Sequence, residues 1–347
     1  VKSEQVKAIA NAILYEGYLL YPYRRSAIKN RTRWTFGVVY PREYSEAQGG
    51  VEPWTMRTEC LVTGNAETTL DVTVRFLHLL VRGANLPGIQ VQAEAVDASG
   101  WGAPGRQAAD SWQEGIEREI SALNLTLSDL LVRPWQVAIK ISGERIVDPP
   151  TTATAAEMLR EQQPLRGVVV IAAEPVTAAA PLFKLSVQIE NTTPETGGAR
   201  RHDAIVLQSF VSTHTLLQVR QGAFLSLLDP PEALKGIAQE CHNQHTWPVL
   251  VGAEGECDAL LSSPIILYDY PQIAPESAGA LFDGTEIDEI LTLRILTLTD
   301  EEKEELRQGD ERAREVLERT EALSSEQLMK LHGVIRSLRP LDTGGKA

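Results

Sequence analysis

The chain has 347 residues, with 33 Lys plus Arg against 47 Asp plus Glu and a formal net charge of −14. At 43% hydrophobic and 23% charged it can bury a sizeable core, which excludes wholesale disorder, and its acidity argues against general nucleic-acid binding because phosphates are repelled. Three cysteines exclude a disulfide framework, no apolar run approaches the roughly 20 residues of a membrane helix, and no signal-peptide pattern opens the chain at Val1, so the expectation is a soluble, multidomain, cytoplasmic protein.

In chain order, Val6, Ile9, Ala10, Ile13 and Leu14 recur at helical spacing over 3–20, and Gly17 and Pro22 should stop that helix. A basic, aromatic arm follows. Residues 1–44 carry eight cations against three acids and hold six of the eight tyrosines. From about 54 the pattern turns to β: 56–62 and 68–81 read as strands separated by a Gly64-Asn65 turn. A Gly/Pro/Ala-rich loop at 98–110 precedes a helix-like patch over 113–123. Strand-like runs follow at 135–142, 167–173, 183–190, 203–211 and 214–220, with 150–165 as a linker. Pro230 and Pro231 open a helix that reaches about His242, and 249–251, 264–268 and 290–298 read as strands. Thr299 with Glu302, and Ser324 with Gln327, are capping-box patterns that start helices in the tail. The stretch 276–321 holds fifteen acids against six cations, so the two ends of the chain have opposite charge.

The fold class expected is α+β and β-rich, an antiparallel β-sandwich-like body with an N-terminal helix and arm and C-terminal helices. The organisation divides into the helix and arm (1–50), a β-rich unit (51–150), a second β-rich unit (151–230), a mixed α/β segment with an acidic loop (231–298) and C-terminal helices (299–347).

Three clusters bear on chemistry. Cys241, His242 and His245, with Cys257 twelve residues on, combine thiolate and imidazole in a way that suits zinc, nickel or iron, although the spacing matches no standard four-ligand site. A histidine ending a helix also serves its last carbonyls. The second cluster joins Tyr268, Asp269 and Tyr270 to the acidic Asp283, Glu286 and Asp288, oxygen ligands or, by the ordinary behaviour of charge runs, a face for a basic partner. The third is Tyr21, Tyr23, Arg24, Arg25, Lys29, Arg31, Arg33 and Trp34, since arginine interleaved with aromatics marks interface hot spots. Walker, Rossmann, His-Glu-x-x-His and Gly-x-Ser-x-Gly motifs are absent from the sequence, and His78 and His214 read as structural.

Four blocks carry a resemblance: 15–24 (YEGYLLYPYR) continuing to 29–37 (KNRTRWTFG), 246–252 (TWPVLVG), 262–277 (SSPIILYDYPQIAPES) and 281–294 (LFDGTEIDEILTLR). Together they resemble uncharacterised accessory proteins encoded in gene clusters for high-affinity uptake [NiFe]-hydrogenases. The resemblance implies a role in hydrogenase assembly with a hydrogenase subunit or maturation factor as partner, and it supplies no catalytic residues. Paired Cys-x-x-Cys motifs of the kind that hold a nickel–iron centre are absent from the sequence.

Two functional readings follow. The first is a non-enzymatic assembly or scaffold protein whose arm and 268–289 segment recognise a partner protein. The second is a metal-dependent enzyme or metallochaperone built on Cys241, His242, His245 and Cys257.

Overall fold

The computed structural model describes residues 2–18, 20, 23, 30, 33–84, 112–149, 157–176, 181–194, 202–273, 288–307, 311–324, 326 and 327. They fall into two compact units, Val1–Tyr18 with Thr32–Gln272, and Leu19–Arg31 with Ile273–Ala347.

The first unit is built on one long strand. β1 (Thr55–Ala84) alternates, with Met56, Cys60, Val62, Leu70, Val72, Val74 and Phe76 all in one buried cluster. One edge of β1 pairs with β7 (Leu182–Asn191) and then β2 (Trp112–Thr126). The other pairs with β8 (Val211–Leu225) and then β5 (Met158–Gln162). Beyond these lie β3 (Trp135–Ile141) against β6 (Leu165–Val176), β4 (Glu144–Asp148) against β5, and β10 (Ala259–Ser263) between β8 and β9 (Trp247–Leu250). Every ladder is antiparallel, and the path runs β3-β6-β7-β1-β8-β10-β9. Residues from both flanks of β1 share one core, closed by the stacking of Phe76 on Phe210 at 4.6 Å and by Leu127 and Leu130 of α3 (Leu127–Val132). This is the β-rich α+β body expected, built as one large antiparallel sheet. The β-rich stretches of 51–150 and 151–230 are interleaved in one sheet, because β1 takes partners from both.

α1 (Lys2–Leu14) forms where the apolar periodicity placed it. Val6, Ile9, Ala10 and Ile13 pack on Val249, Val251, Ala259 and Leu261, and Ser212 Oγ donates to the Ile13 carbonyl at 2.9 Å. A short α2 (Arg42–Ala47) follows the arm.

Several local expectations are corrected. Gly64-Asn65 does not reverse the chain. β1 runs through it with a register shift, and a Cβ at Gly64 would collide with the Thr68 side chain, so glycine permits the bulge. Residues 113–123 are strand, not helix, since β1 supplies cross-strand partners for their acids: Arg82 for Glu114 at 3.5 Å and Arg75 for Glu117 at 3.2 Å. The run 203–211 becomes α4 (His202–Ile205) and a 3-10 turn (Val206–Gln208) before β8 starts. The 150–165 stretch contains β5, and the strand expected at 264–268 instead ends at Ser263, before Pro264. The proline-led helix is a 3-10 turn (Glu232–Leu234) and a short α5 (Lys235–Gln239).

In the second unit, residues 290–298 are not a strand. They lie in and just after α6 (Asp288–Leu296), where Leu291 and Ile295 are buried four residues apart. α7 (Asp300–Arg307) and α8 (Glu311–Glu321) bury Leu306, Val316 and Leu317, and Glu321 takes Lys303 at 3.3 Å and Arg307 at 3.4 Å.

Candidate functional site

The Cys241–His245 motif is a piece of sheet edge. After α5 the chain crosses to the part of β1 that β8 leaves unpaired. There the Gln244 N–H donates to the Arg57 carbonyl at 2.9 Å, and the Arg57 N–H returns the bond at 3.1 Å. One residue along, the side chain of Asn243 imitates a strand: its Oδ1 accepts the Glu59 N–H at 2.8 Å and its Nδ2 donates to the Glu59 carbonyl at 3.2 Å. The buried Glu59 carboxylate accepts the His242 N–H at 2.7 Å, pairs with Arg57, and has Lys184 at 4.0 Å. Burial pushes its pKa up, but the His242 N–H, Arg57 and Lys184 outweigh that and hold it below the ordinary glutamate value. His245 turns the chain with a φ of 60°, and Thr246 joins Ser262 and Thr58 in a buried hydroxyl chain with links of 2.7 and 2.8 Å.

This geometry does not support the metal reading. Burial, then the charge of Glu59, pushes the Cys241 thiol up to about 11. Cys257 lies elsewhere, its Sγ 3.6 Å from the Gly255 carbonyl and 3.9 Å from the Tyr270 hydroxyl. Among the described residues no three His, Cys, Asp or Glu side chains are grouped to hold an ion. Cys241, His242, His245 and Cys257 are therefore not brought together, and no zinc, nickel or iron site is assigned to them.

The arm is corrected in part. Arg33 is 3% exposed and Trp34 4%: the guanidinium lies over the Trp34 ring at 4.4 Å and the Tyr18 ring at 5.5 Å, and it donates to the Gln113 carbonyl. Both side chains bind their own unit and present no face to a partner. Tyr23 is buried as well, with a φ of 63°. Tyr21, Arg24, Arg25, Lys29 and Arg31 lie outside the described residues, as do Asp283 and Glu286. Asp288 is the first residue of α6.

Residues 268–270 form the surface that remains. Asp269 ties three segments together. Its Oδ1 accepts the Leu250 N–H of β9 at 2.8 Å, and its Oδ2 accepts the Ser226 hydroxyl, whose oxygen takes the N–H groups of Leu228 and Asp229 at 3.1 and 2.9 Å. The Tyr270 N–H donates to the Leu250 carbonyl at 2.7 Å, with Tyr270 at a φ of 57°. Immediately before these two fixed positions stands Tyr268, 88% exposed. Leu228, Trp247 and Ile266 are exposed on the same three segments; Trp247 pairs across from Ser263, three residues before Ile266. Of this group the sequence marks only 268–270 as site residues, although Trp247 and Ile266 lie in the blocks that carry the resemblance. The others escaped notice because residue type alone does not tell a buried leucine or tryptophan from an exposed one. Residues 226–273, the stretch of chain that holds these side chains, carry seven acids and a single lysine, so this part of the chain is strongly acidic.

No protein-family model matches the chain, and no curated protein matches it. Among the described residues no helix is long and apolar enough to cross a membrane.

Proposed function

We propose that the chain is a non-enzymatic accessory protein that binds a partner protein through the Tyr268 surface. The observation that carries this reading is the nearly full exposure of Tyr268 on backbone pinned by hydrogen bonds at Asp269 and Tyr270. An aromatic side chain displayed on a fixed loop loses little entropy on binding and supplies a large apolar contact, as interface anchors do. The acidity of 226–273 favours a partner whose docking patch is apolar at its centre and basic at its rim.

The resemblance of the 262–277 block to hydrogenase-cluster proteins makes an immature hydrogenase subunit or a maturation factor the partner. Binding would keep that partner oriented and its apolar surface covered during assembly. Three free cysteines suit the reducing cytoplasm in which such assembly takes place.

The test is capture of hydrogenase subunits from the native host by the tagged protein. Tyr268→Ala should lower capture about tenfold with its unfolding midpoint unchanged, because that side chain is 88% exposed, and Tyr268→Ala with Trp247→Ala should abolish capture while the protein stays folded by circular dichroism. Capture should also weaken as salt screens the acidic rim. Undiminished capture by the double variant removes this surface from the interface.

A further inference from the structure

The sheet has several flanks at which a strand ends the hydrogen-bonded order, and most are closed by the protein's own groups. β9 carries Pro248, which has no N–H, and its Leu250 N–H and carbonyl are taken by Asp269 and Tyr270. β2 is met by the Arg33 guanidinium at Gln113 and bulges at Asn124, whose φ is 56°. On β4, self-pairing about its central Ile146 would set Glu144 against Asp148 of a second copy, acid against acid.

β3 is different. Among the described residues it is hydrogen-bonded to β6 alone, and Gln136, Ala138 and Lys140 are exposed along it. Val132, which ends α3 just before it, is 83% exposed, and Trp135 at its start is 45% exposed on the same face of the strand as the buried Ile139. Its sequence, WQVAIKI, is self-complementary about Ala138. In an antiparallel pair of two copies Trp135 would face Ile141, Val137 would face Ile139, and Gln136 would face Lys140, each twice by symmetry. Apolar residues then meet apolar residues on the side where Ile139 is already core, and no like charges meet on the other. The surroundings permit the approach, since 127–148 carry three acids and three cations in a chain of net charge −14.

We propose that β3 is a homodimerisation edge, through which two copies join their sheets antiparallel about a two-fold axis at Ala138. A seven-residue strand with Val132 and Trp135 is at the low end of interface size, roughly 1,200 Å² or less, so the dimer is a micromolar one. This surface is independent of the Tyr268 surface.

Sedimentation equilibrium of the full chain tests it. The wild type should show a monomer–dimer equilibrium in the micromolar range. Gln136→Lys, which sets lysine against Lys140 twice, should weaken it about fivefold, and Gln136→Glu should tighten it about as much at low salt. Position 136 is exposed, and circular dichroism checks that both variants stay folded. Ala138→Cys should give a covalent dimer under mild oxidation, because the two Cβ atoms would face each other on the axis, whereas Gln136→Cys should not. A wild type that stays monomeric at about 100 µM, or a dimer indifferent to both charge variants, overturns the proposal.

Discussion

Glu59 shows how a residue's surroundings decide its chemistry. With its side chain 2% exposed and three donors or cations on it, it ties the 241–245 segment to β1. Glu59→Gln keeps the shape and removes the charge, and should cost about 1–2 kcal/mol by equilibrium denaturation, because Arg57 and Lys184 are exposed enough to be rehydrated. Since the folded carboxyl titrates below the unfolded one, its contribution is complete above the ordinary glutamate range and is lost as pH falls from there through the lower folded value. Asn243→Ala leaves the Glu59 N–H without its acceptor and should cost about 1–3 kcal/mol in the same measurement. The sequence marks this segment as chemical because Cys and His are the residue types of metal sites. The same polar groups also complete a broken ladder, and only the location of β1 decides between these uses.

Among the elements, those whose pattern is satisfied locally were legible. α1 has its apolar stripe in its own residues, and the capping box at the start of α7 is complete: the Thr299 N–H donates to Glu302 at 3.0 Å, and the Glu302 N–H donates to Thr299 Oγ1 at 3.2 Å. Thr299→Ala should cost about 1 kcal/mol and speed hydrogen exchange at the Glu302 amide. β2 was misread because Ile116 and Ile120 stand four apart, as on a helix. What makes it a strand is β1, some forty residues earlier, which sets Val74 against Ile120 and His78 against Ile116. In α6 the error ran the other way, as its β-branched and leucine run lacks a clear start signal. Of the interaction surface, 268–270 was legible as an aromatic-acidic cluster, whereas the inward turn of Arg33 and Trp34 was not, since it depends on Tyr18 and Gln113.

At the scale of the whole molecule, two histidines lie fully inside the sheet body. His78 Nε2 meets the Gln163 carbonyl at 2.8 Å beside Arg118, and His214 Nδ1 donates to the Ser212 carbonyl at 3.0 Å near Arg75 and Glu117. Burial pushes both down to about 4. Each is neutral when folded and gains a proton on unfolding below pH 6.5, so stability falls with pH from about 6.5 toward 4. The loss is about 2 kcal/mol per histidine by pH 5. Urea midpoints should therefore drop between pH 7 and pH 5, ahead of carboxylate protonation. A flat profile above pH 5 would mean that the two sites admit charge. β1 has a further consequence, which is felt during synthesis. Its thirty residues face outward for partners that the ribosome has not yet made: β7 ends at Asn191 and β8 at Leu225. At about 5–20 residues per second, roughly 10–30 s pass between the start of β1 and the end of β8. Over that interval the buried face of β1 emerges ahead of β7 and β8, with β2 the first partner to follow, so depleting nascent-chain chaperones should lower the yield of native protein.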